Sequence, residues 1–559
     1  MVVSPGKIMA GVRLAVLLLP FAAALAQDAV TVSVDAAASA GALAPVWAFF
    51  GYDEPNYTYM PNGRKLLEEL AALAPTPVYI RAHNLLTTGD GTPALKWGST
   101  NVFTRDSAGR PLYDWAIMDR IFDTWHAAGL KPLVEIGFMP EALSTHPQPY
   151  RHNWPQGPLA TGWAYPPNDY HEWVELVYHW VRHEVERFGE TEVASWYWEV
   201  WNEPNISYWQ GTPEEYYKLY DFAADAVKRA LPAARIGGPH STGPADEKAA
   251  GFLRGFLQHC LHGVNYATTK PGAPLDYISF HAKGIPQIAD GHIRMGIRQH
   301  LANVARGFEI VTSFPELRAK PVIIGESDPE GCAACSARAN PQNAYRNGAL
   351  YPCYTAAVLH GILELSRTRG VNLAGVVTWA FEFEDQPWFE GFRSLATNGV
   401  DKPVLNLFRM LGFMSGQRVE ARSSGALDME AMLERGVRGR PDIGAMATRA
   451  EREVSVLLWN YHDDDLPAPD ADIDLVVRSL PPGRTEVRHY RIDQTHSNAY
   501  SQWKRMGSPA SPAAEQISQL ERAGQLEILT SPRWLAVAGA AELRFPLPRQ
   551  AVSLIQFDW

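Results

Sequence analysis

The chain is short of cysteine, of basic charge and of long apolar runs, and each shortage removes a class of protein. Its four cysteines, Cys260, Cys332, Cys335 and Cys353, form no second close pair of the kind a zinc site needs. Cys332-x-x-Cys335 also lacks a thioredoxin-like setting, which leaves a structural disulfide bracing the loop after residue 326 as the expectation. Lysine and arginine total 50 against 61 acidic residues, a net charge of −11, and no basic stripe interrupts the pattern. Nucleic acid is therefore excluded as a partner, and anionic membrane surfaces are no better supported. The one apolar run near the N-terminus, Leu14 to Leu25, is too short for a membrane span, and no later one is longer. Internal repeats and low-complexity tracts are missing, as is any His-x-His or His-x-x-x-His at a strand end, so neither a metal nor a cofactor is implied.

What is present begins with a leader. Lys7 and Arg13 precede the apolar run, which ends in Ala24-Leu25-Ala26 before Gln27, so residues 1–26 are expected to be a cleaved signal peptide and the protein to be exported, periplasmic or secreted. The 559 residues suffice for a large core and two or three domains. Between 46 and 414, eight short apolar runs alternate with amphipathic stretches. The runs are Val46–Gly51, Pro77–Arg81, Lys131–Gly137, Ala194–Trp201, Arg235–Pro239, Tyr277–His281, Pro321–Gly325 and Gly375–Trp379. Helical patterns such as Gly63–Leu73, Trp115–Ala128, Tyr170–Phe188 and Pro213–Ala230 lie between them. This alternation predicts an α/β fold, a (β/α)₈ TIM barrel. From 415 to 559 the runs become short and alternating, separated by Pro, Gly and Asp, which predicts a C-terminal β-sandwich. Residues 27–45 form an N-terminal segment whose strand, Val30–Val34, is expected to pair with that sandwich. Ser423–Arg440 reads as a mobile connection.

Barrel enzymes carry their chemistry at the C-terminal ends of the strands. Those ends hold Asp53 and Glu54, Arg81, His83 and Asn84, Asn202 and Glu203, His240, His281 and Lys283, Glu326, and Trp379 with Glu382 and Glu384. Glu203 closes strand four in Trp-Tyr-Trp-Glu-Val-Trp-Asn-Glu-Pro-Asn, and Glu326 closes strand seven in Val-Ile-Ile-Gly-Glu-Ser-Asp-Pro-Glu. Hydrolysing a glycosidic bond needs a proton for the leaving oxygen and a group facing the anomeric carbon, and two carboxylates supply both. A lone Asn-Glu-Pro is more often a helix cap; the second glutamate across the barrel turns the reading to catalysis. The 18 tryptophans and 22 tyrosines add a weaker hint of sugar stacking, since large cores also use aromatics.

These motifs resemble the clan of retaining (β/α)₈ glycosidases, and more closely glycoside hydrolase family 39, which holds β-xylosidases and α-L-iduronidases. The resemblance runs over nearly the whole mature chain. It includes Phe-Phe-Gly-Tyr-Asp-Glu-Pro-Asn at 49–56, Arg-Ala-His-Asn at 81–84, Ser-Phe-His-Ala-Lys-Gly at 279–284 and Ile-Asp-Gln-Thr-His-Ser-Asn-Ala-Tyr at 492–500. It implies Glu203 as general acid/base, Glu326 as nucleophile, and Asn202 as a partner of the sugar 2-hydroxyl. His83, His281 and Trp379 would line the subsite of the sugar being cleaved. From their places at the rim, Asp53, Glu54, Glu382 and Glu384 read as ligands of substrate hydroxyls or as rim salt bridges. Arg81 would hold a catalytic carboxylate from behind. Lys283 stands where the iduronidases carry the lysine that holds the sugar carboxylate and the xylosidases a tyrosine. The resemblance implies a retaining exo-glycosidase acting on an oligosaccharide or glycoside, with β-xylosidase leading and α-L-iduronidase-like or α-L-arabinosidase activity as alternatives. From a different class, a carbohydrate-binding protein on a barrel scaffold is the rival, though binding alone does not require two poised glutamates.

Overall fold

The computed structural model describes residues 1–3, 29–154 and 157–559. Beyond its first three residues, the expected signal peptide lies outside them. Eight parallel strands close into a barrel in chain order: Phe49–Tyr52, Tyr79–Ala82, Lys131–Ile136, Tyr197–Val200, Arg235–Ser241, Tyr277–Lys283, Val322–Asp328 and Leu373–Thr378, the last pairing with the first. All eight runs marked in the sequence are there. The fourth is trimmed, because Glu190–Ala194 closes a short helix before the strand begins.

Helix starts are fixed by local chemistry. The Asp169 carboxylate accepts from the His171 and Glu172 N–H groups to open Tyr170–Phe188. Thr212 and Glu215 form a reciprocal capping box that opens Pro213–Ala230. Much of the tryptophan content belongs to the packing of these helices on the strands: Trp125, Trp173, Trp180, Trp196, Trp198 and Trp201 are fully buried. The rings of Trp180 and Trp198, for example, meet edge to face at 5.6 Å. The aromatic richness of the sequence is thus mostly core.

Apart from four two-stranded hairpins, the other strands form one nine-stranded sheet, mostly antiparallel, whose strands share a single apolar core, with Val34, Val456, Leu475, Leu543 and Ile555 all in it. A sheet whose strands point one face into a common core has folded over on itself as a sandwich. Val30–Ala42 lies inside it, antiparallel to Gln417–Ser423 and parallel to Ala471–Arg478, which extends the early strand foreseen at Val30–Val34. Two strands had no visible signal. Gln417–Ser423 has one large apolar residue, and Asp442–Arg449 is rich in small ones, with Gly444 lying under Trp459, where a Cβ would stand 2.2 Å from the indole. Ser423–Arg440 is a correction: in place of a mobile connection it contains the helix Met429–Arg435, capped by Asp428.

The sandwich is fused to the barrel. Met446, Leu457, Trp459, Tyr461, Val552 and Leu554 belong to the barrel's own core cluster. They pack near helix Leu350–Arg369, with the rings of Tyr354 and Tyr461 at 5.7 Å. A hairpin after strand six, Gln287–Ala289 with His292–Arg294, is held by Asp464 through Arg294 (2.5 Å) and His292 (2.9 Å).

Candidate active site

Strand four stops because its backbone turns. Trp201 and Glu203 adopt positive φ (72° and 45°), and Pro204 follows. His240, at the end of strand five, does the same (φ 48°), and its carbonyl accepts the Glu203 N–H at 3.0 Å. Non-glycine residues in this region cost energy and concentrate where a side chain must be aimed. Here the turn carries Glu203 to the barrel mouth.

Arg81 is the hub. Its guanidinium is fully buried and bonds Glu199 (2.6 Å), Glu135 (3.0 Å) and Glu326 (3.1 Å), and donates to Asn202 Oδ1 at 3.1 Å. Trp379 lies across it at 4.8 Å, its ring held down because a Cβ on Gly51 would stand 2.3 Å away. Opposite charge in a dry interior explains the cluster: a buried arginine needs carboxylates, and buried carboxylates need it. Glu135 and Glu199 are direct neighbours in the register of strands three and four. Sequence reasoning missed both. The signal was there, an acidic residue in the middle of each of two apolar strands.

The two glutamates differ electrostatically. Burial and the Glu326 charge raise Glu203 to about 7. Burial would raise Glu326 as well, but the Lys283 ammonium and the Arg81 guanidinium outweigh it and hold Glu326 well below the usual carboxylate range. Below about pH 7 the Glu203 carboxyl keeps its proton while Glu326 is ionised, the division that acid and nucleophile require. Carboxylate oxygens of Glu203 and Glu326, with a nitrogen of His281, lie within 4.8 Å of one another. The two carboxyls thus stand close together, as the roughly 5–5.5 Å separation of a retaining pair requires. The same three groups are the one set among the described residues that could hold a metal ion. Lys283 and Arg81 already compensate Glu326, so little negative charge is left for a cation.

His281 Nδ1 is 2.9 Å from Glu203 Oε1, and burial lowers its ring to about 3, so it is neutral. His83 presents Nδ1 to Asp53 Oδ1 at 2.6 Å and receives Arg81 on Nε2 at 3.2 Å, a pattern that fixes the proton on Nδ1. Lys96, also missed, completes this corner at 2.5 Å from Asp53 Oδ2; its signal was only a lysine in a loop. Lys283 Nζ is 2.6 Å from Glu326 Oε2 and 2.5 Å from Asp328 Oδ2. Gly325 separates His240 from His281, since a Cβ there would stand 2.0 Å from His240 Nδ1.

Asp53, Arg81, His83, Asn202, Glu203, His281, Lys283, Glu326 and Trp379 are thus brought together. Glu54 is buried and tied to the loop, its Oε1 accepting from the Lys96 N–H at 2.7 Å. Glu384 takes the N–H groups of Asn62 and Gly63 at the start of helix Pro61–Ala71, and Glu382 that of Gly399, so both hold loops. Asp328 and Glu330, the acidic residues that follow Glu326, are bound up with Arg393, and Glu330 also with Arg346 at 2.7 Å. The expected disulfide joins Cys332 to Cys335 in the loop that follows, while Cys260 and Cys353 are buried free thiols.

Residues 31–540 match the family model of glycosyl hydrolases family 39. A β-xylosidase of Caldicellulosiruptor saccharolyticus is 28% identical over 461 residues, 80% of this chain and 82% of the relative. An α-L-iduronidase of Mus musculus is 27% identical over 414 residues, 69% of this chain and 61% of the relative. Among solved structures, a monomeric β-xylosidase from Caulobacter crescentus CB15 superposes with a TM-score of 0.73 at 22% identity, over 94% of this chain and 99% of that one, a likeness of fold.

Proposed function

The chain belongs to glycosyl hydrolases family 39, and on that premise we propose that it is a retaining exo-β-xylosidase that removes xylose from the non-reducing ends of xylo-oligosaccharides. Glu326 attacks the anomeric carbon while the Glu203 proton passes to the departing oxygen, so the glycosidic C–O bond breaks as a glycosyl ester forms. Glu203, now a base, takes a proton from water; the water oxygen bonds to the anomeric carbon, and Glu326 leaves as carboxylate. Asn202, held by Arg81 through its carbonyl oxygen, keeps its amide nitrogen for the sugar 2-hydroxyl. His83, clamped by Asp53, and Trp379 shape the subsite, and their burial favours a single terminal ring over a through-running chain.

The observation that carries the neutral glycone is Lys283. Its ammonium lies against both Glu326 and Asp328. A lysine already bonded to two carboxylates is a poor clamp for a third, which disfavours an acidic sugar. Export of the mature protein, from the leader at 1–26, is part of the same proposal and would place it beside polymeric substrate.

The test is release of chromophore from aryl β-D-xyloside, α-L-arabinosides and α-L-iduronide. A dominant β-xyloside rate supports the proposal; a dominant iduronide rate overturns it and makes Lys283 the carboxylate clamp.

A further inference from the structure

Glu203 lines an open cavity of about 610 Å³, a size within the roughly 300–1,000 Å³ of small-molecule sites. Among the described residues that line it, His83, Asn202 and Trp379 are missing, so it extends from the proton donor away from the subsite of the cleaved sugar. Ile206 follows strand four, Ile285 follows strand six, Gln299 sits on helix Ile297–Thr312, and Gln342 belongs to the segment beyond the Cys332–Cys335 bridge. The position of Ile285 is closely defined: a Cβ on Gly296 would stand 2.4 Å from its backbone nitrogen.

The charged groups of this cavity are already engaged. Lys283 is its one cation among those residues and is bonded to Glu326 and Asp328. Asp246 accepts the N–H groups of Lys248 and Ala249 as a helix cap, and Glu330 is held by Arg346 and Arg393. What remains on offer is apolar surface, Ile206 at 39% and Ile285 at 63% exposed, and two side-chain amides. Those of Gln299 and Gln342 bond no protein group among the described residues. Amide donors and acceptors beside exposed apolar carbon match a hydroxylated ring, which has polar edges and C–H faces. An anionic unit would find no free cation, and would sit beside Glu203 and Asp246.

Resting on the glycosidase reading above, we propose that this cavity receives the departing sugar, that it is built for an uncharged unit, and that Gln299 and Gln342 are its specificity-determining residues. A leaving unit bearing sulfate or carboxylate is rejected there.

The experiment compares kcat/KM for xylobiose and for an aryl β-xyloside in the full-length enzyme, Gln299→Ala and Gln342→Ala. Loss of one or two neutral hydrogen bonds lowers the xylobiose-to-aryl ratio about three- to tenfold in each variant. An unchanged ratio, whether both substrates suffer equally or neither does, overturns the proposal. If the wild-type enzyme cleaves no xyloside, the glycone assignment falls and the cavity is tested separately. Whichever aryl glycoside is turned over then serves as donor, with a neutral and a sulfated sugar competing as acceptors for the glycosyl group. Transfer favouring the neutral acceptor, weakened about three- to tenfold by Gln342→Ala, upholds the cavity; equal or preferred transfer to the sulfated one overturns it.

Discussion

Lys283 Nζ lies 2.6 Å from Glu326 Oε2, so the lysine that ends strand six neutralises the glutamate of strand seven. Lys283→Met should raise the Glu326 pKa and move the acid limb of the kcat/KM profile on aryl β-xyloside to higher pH. An unmoved acid limb would show that the contact does not govern the ionisation of Glu326.

Glu326→Ala should lower kcat by about 10⁴-fold or more, as loss of a covalent nucleophile does. Azide should restore part of the turnover and yield a glycosyl azide of inverted configuration, identified by NMR of the product. Near-normal activity would remove Glu326 from the role of nucleophile.

Glu203→Ala should cost about 10²–10⁴-fold on xylobiose, whose leaving group needs the proton, and far less on a dinitrophenyl glycoside. The pH dependence carries a sign. Glu203 must be protonated to act and titrates at about 7, so activity on poor leaving groups should fall as pH rises through that value. In Glu203→Ala this alkaline limb should vanish. A limb that persists would assign it to another group.

Arg81→Met leaves Glu135, Glu199 and Glu326 without their shared cation in a dry interior. The loss should amount to about 3–5 kcal/mol of stability, the usual cost of breaking a buried ion pair, read as a lower midpoint in urea. Stability within about 0.5 kcal/mol of wild type would mean that the surface-like value for ion pairs applies.

Gly51→Ala places a methyl carbon 2.3 Å from the Trp379 ring. The indole must shift, so KM for small xylosides should rise while the far-UV circular dichroism stays native. An unaltered KM would separate Trp379 from the sugar subsite.

The barrel was legible because each strand is apolar along its length and ends in polar residues, a pattern local to the chain. Asp53, His83, Asn202, Glu203, His281, Lys283, Glu326 and Trp379 sit at those ends, where a reader looks. Glu135 and Glu199 do not; they stand one layer lower, and only the register of strands three and four reveals that they share Arg81. Lys96 escaped because a loop residue gains meaning only from where the loop lands. Glu54 and Glu384 show the converse: strand-end acids that, once folded, hold backbone N–H groups. In the sandwich, Asp442–Arg449 went unseen because its small residues exist to accommodate Trp459, a relation set by packing across strands.

Val30–Ala42 lies between partners that come very late in the chain. The Thr31 N–H meets the Ser424 hydroxyl across 393 positions, and Ser33 meets Arg478 across 445. This strand must therefore wait, without these partners, while the whole barrel is made. Pairings of such long range are slow to form and leave strand edges open meanwhile. The sandwich works as a clasp whose two parts lie on either side of the barrel in the chain, and it can close only after the barrel has been made.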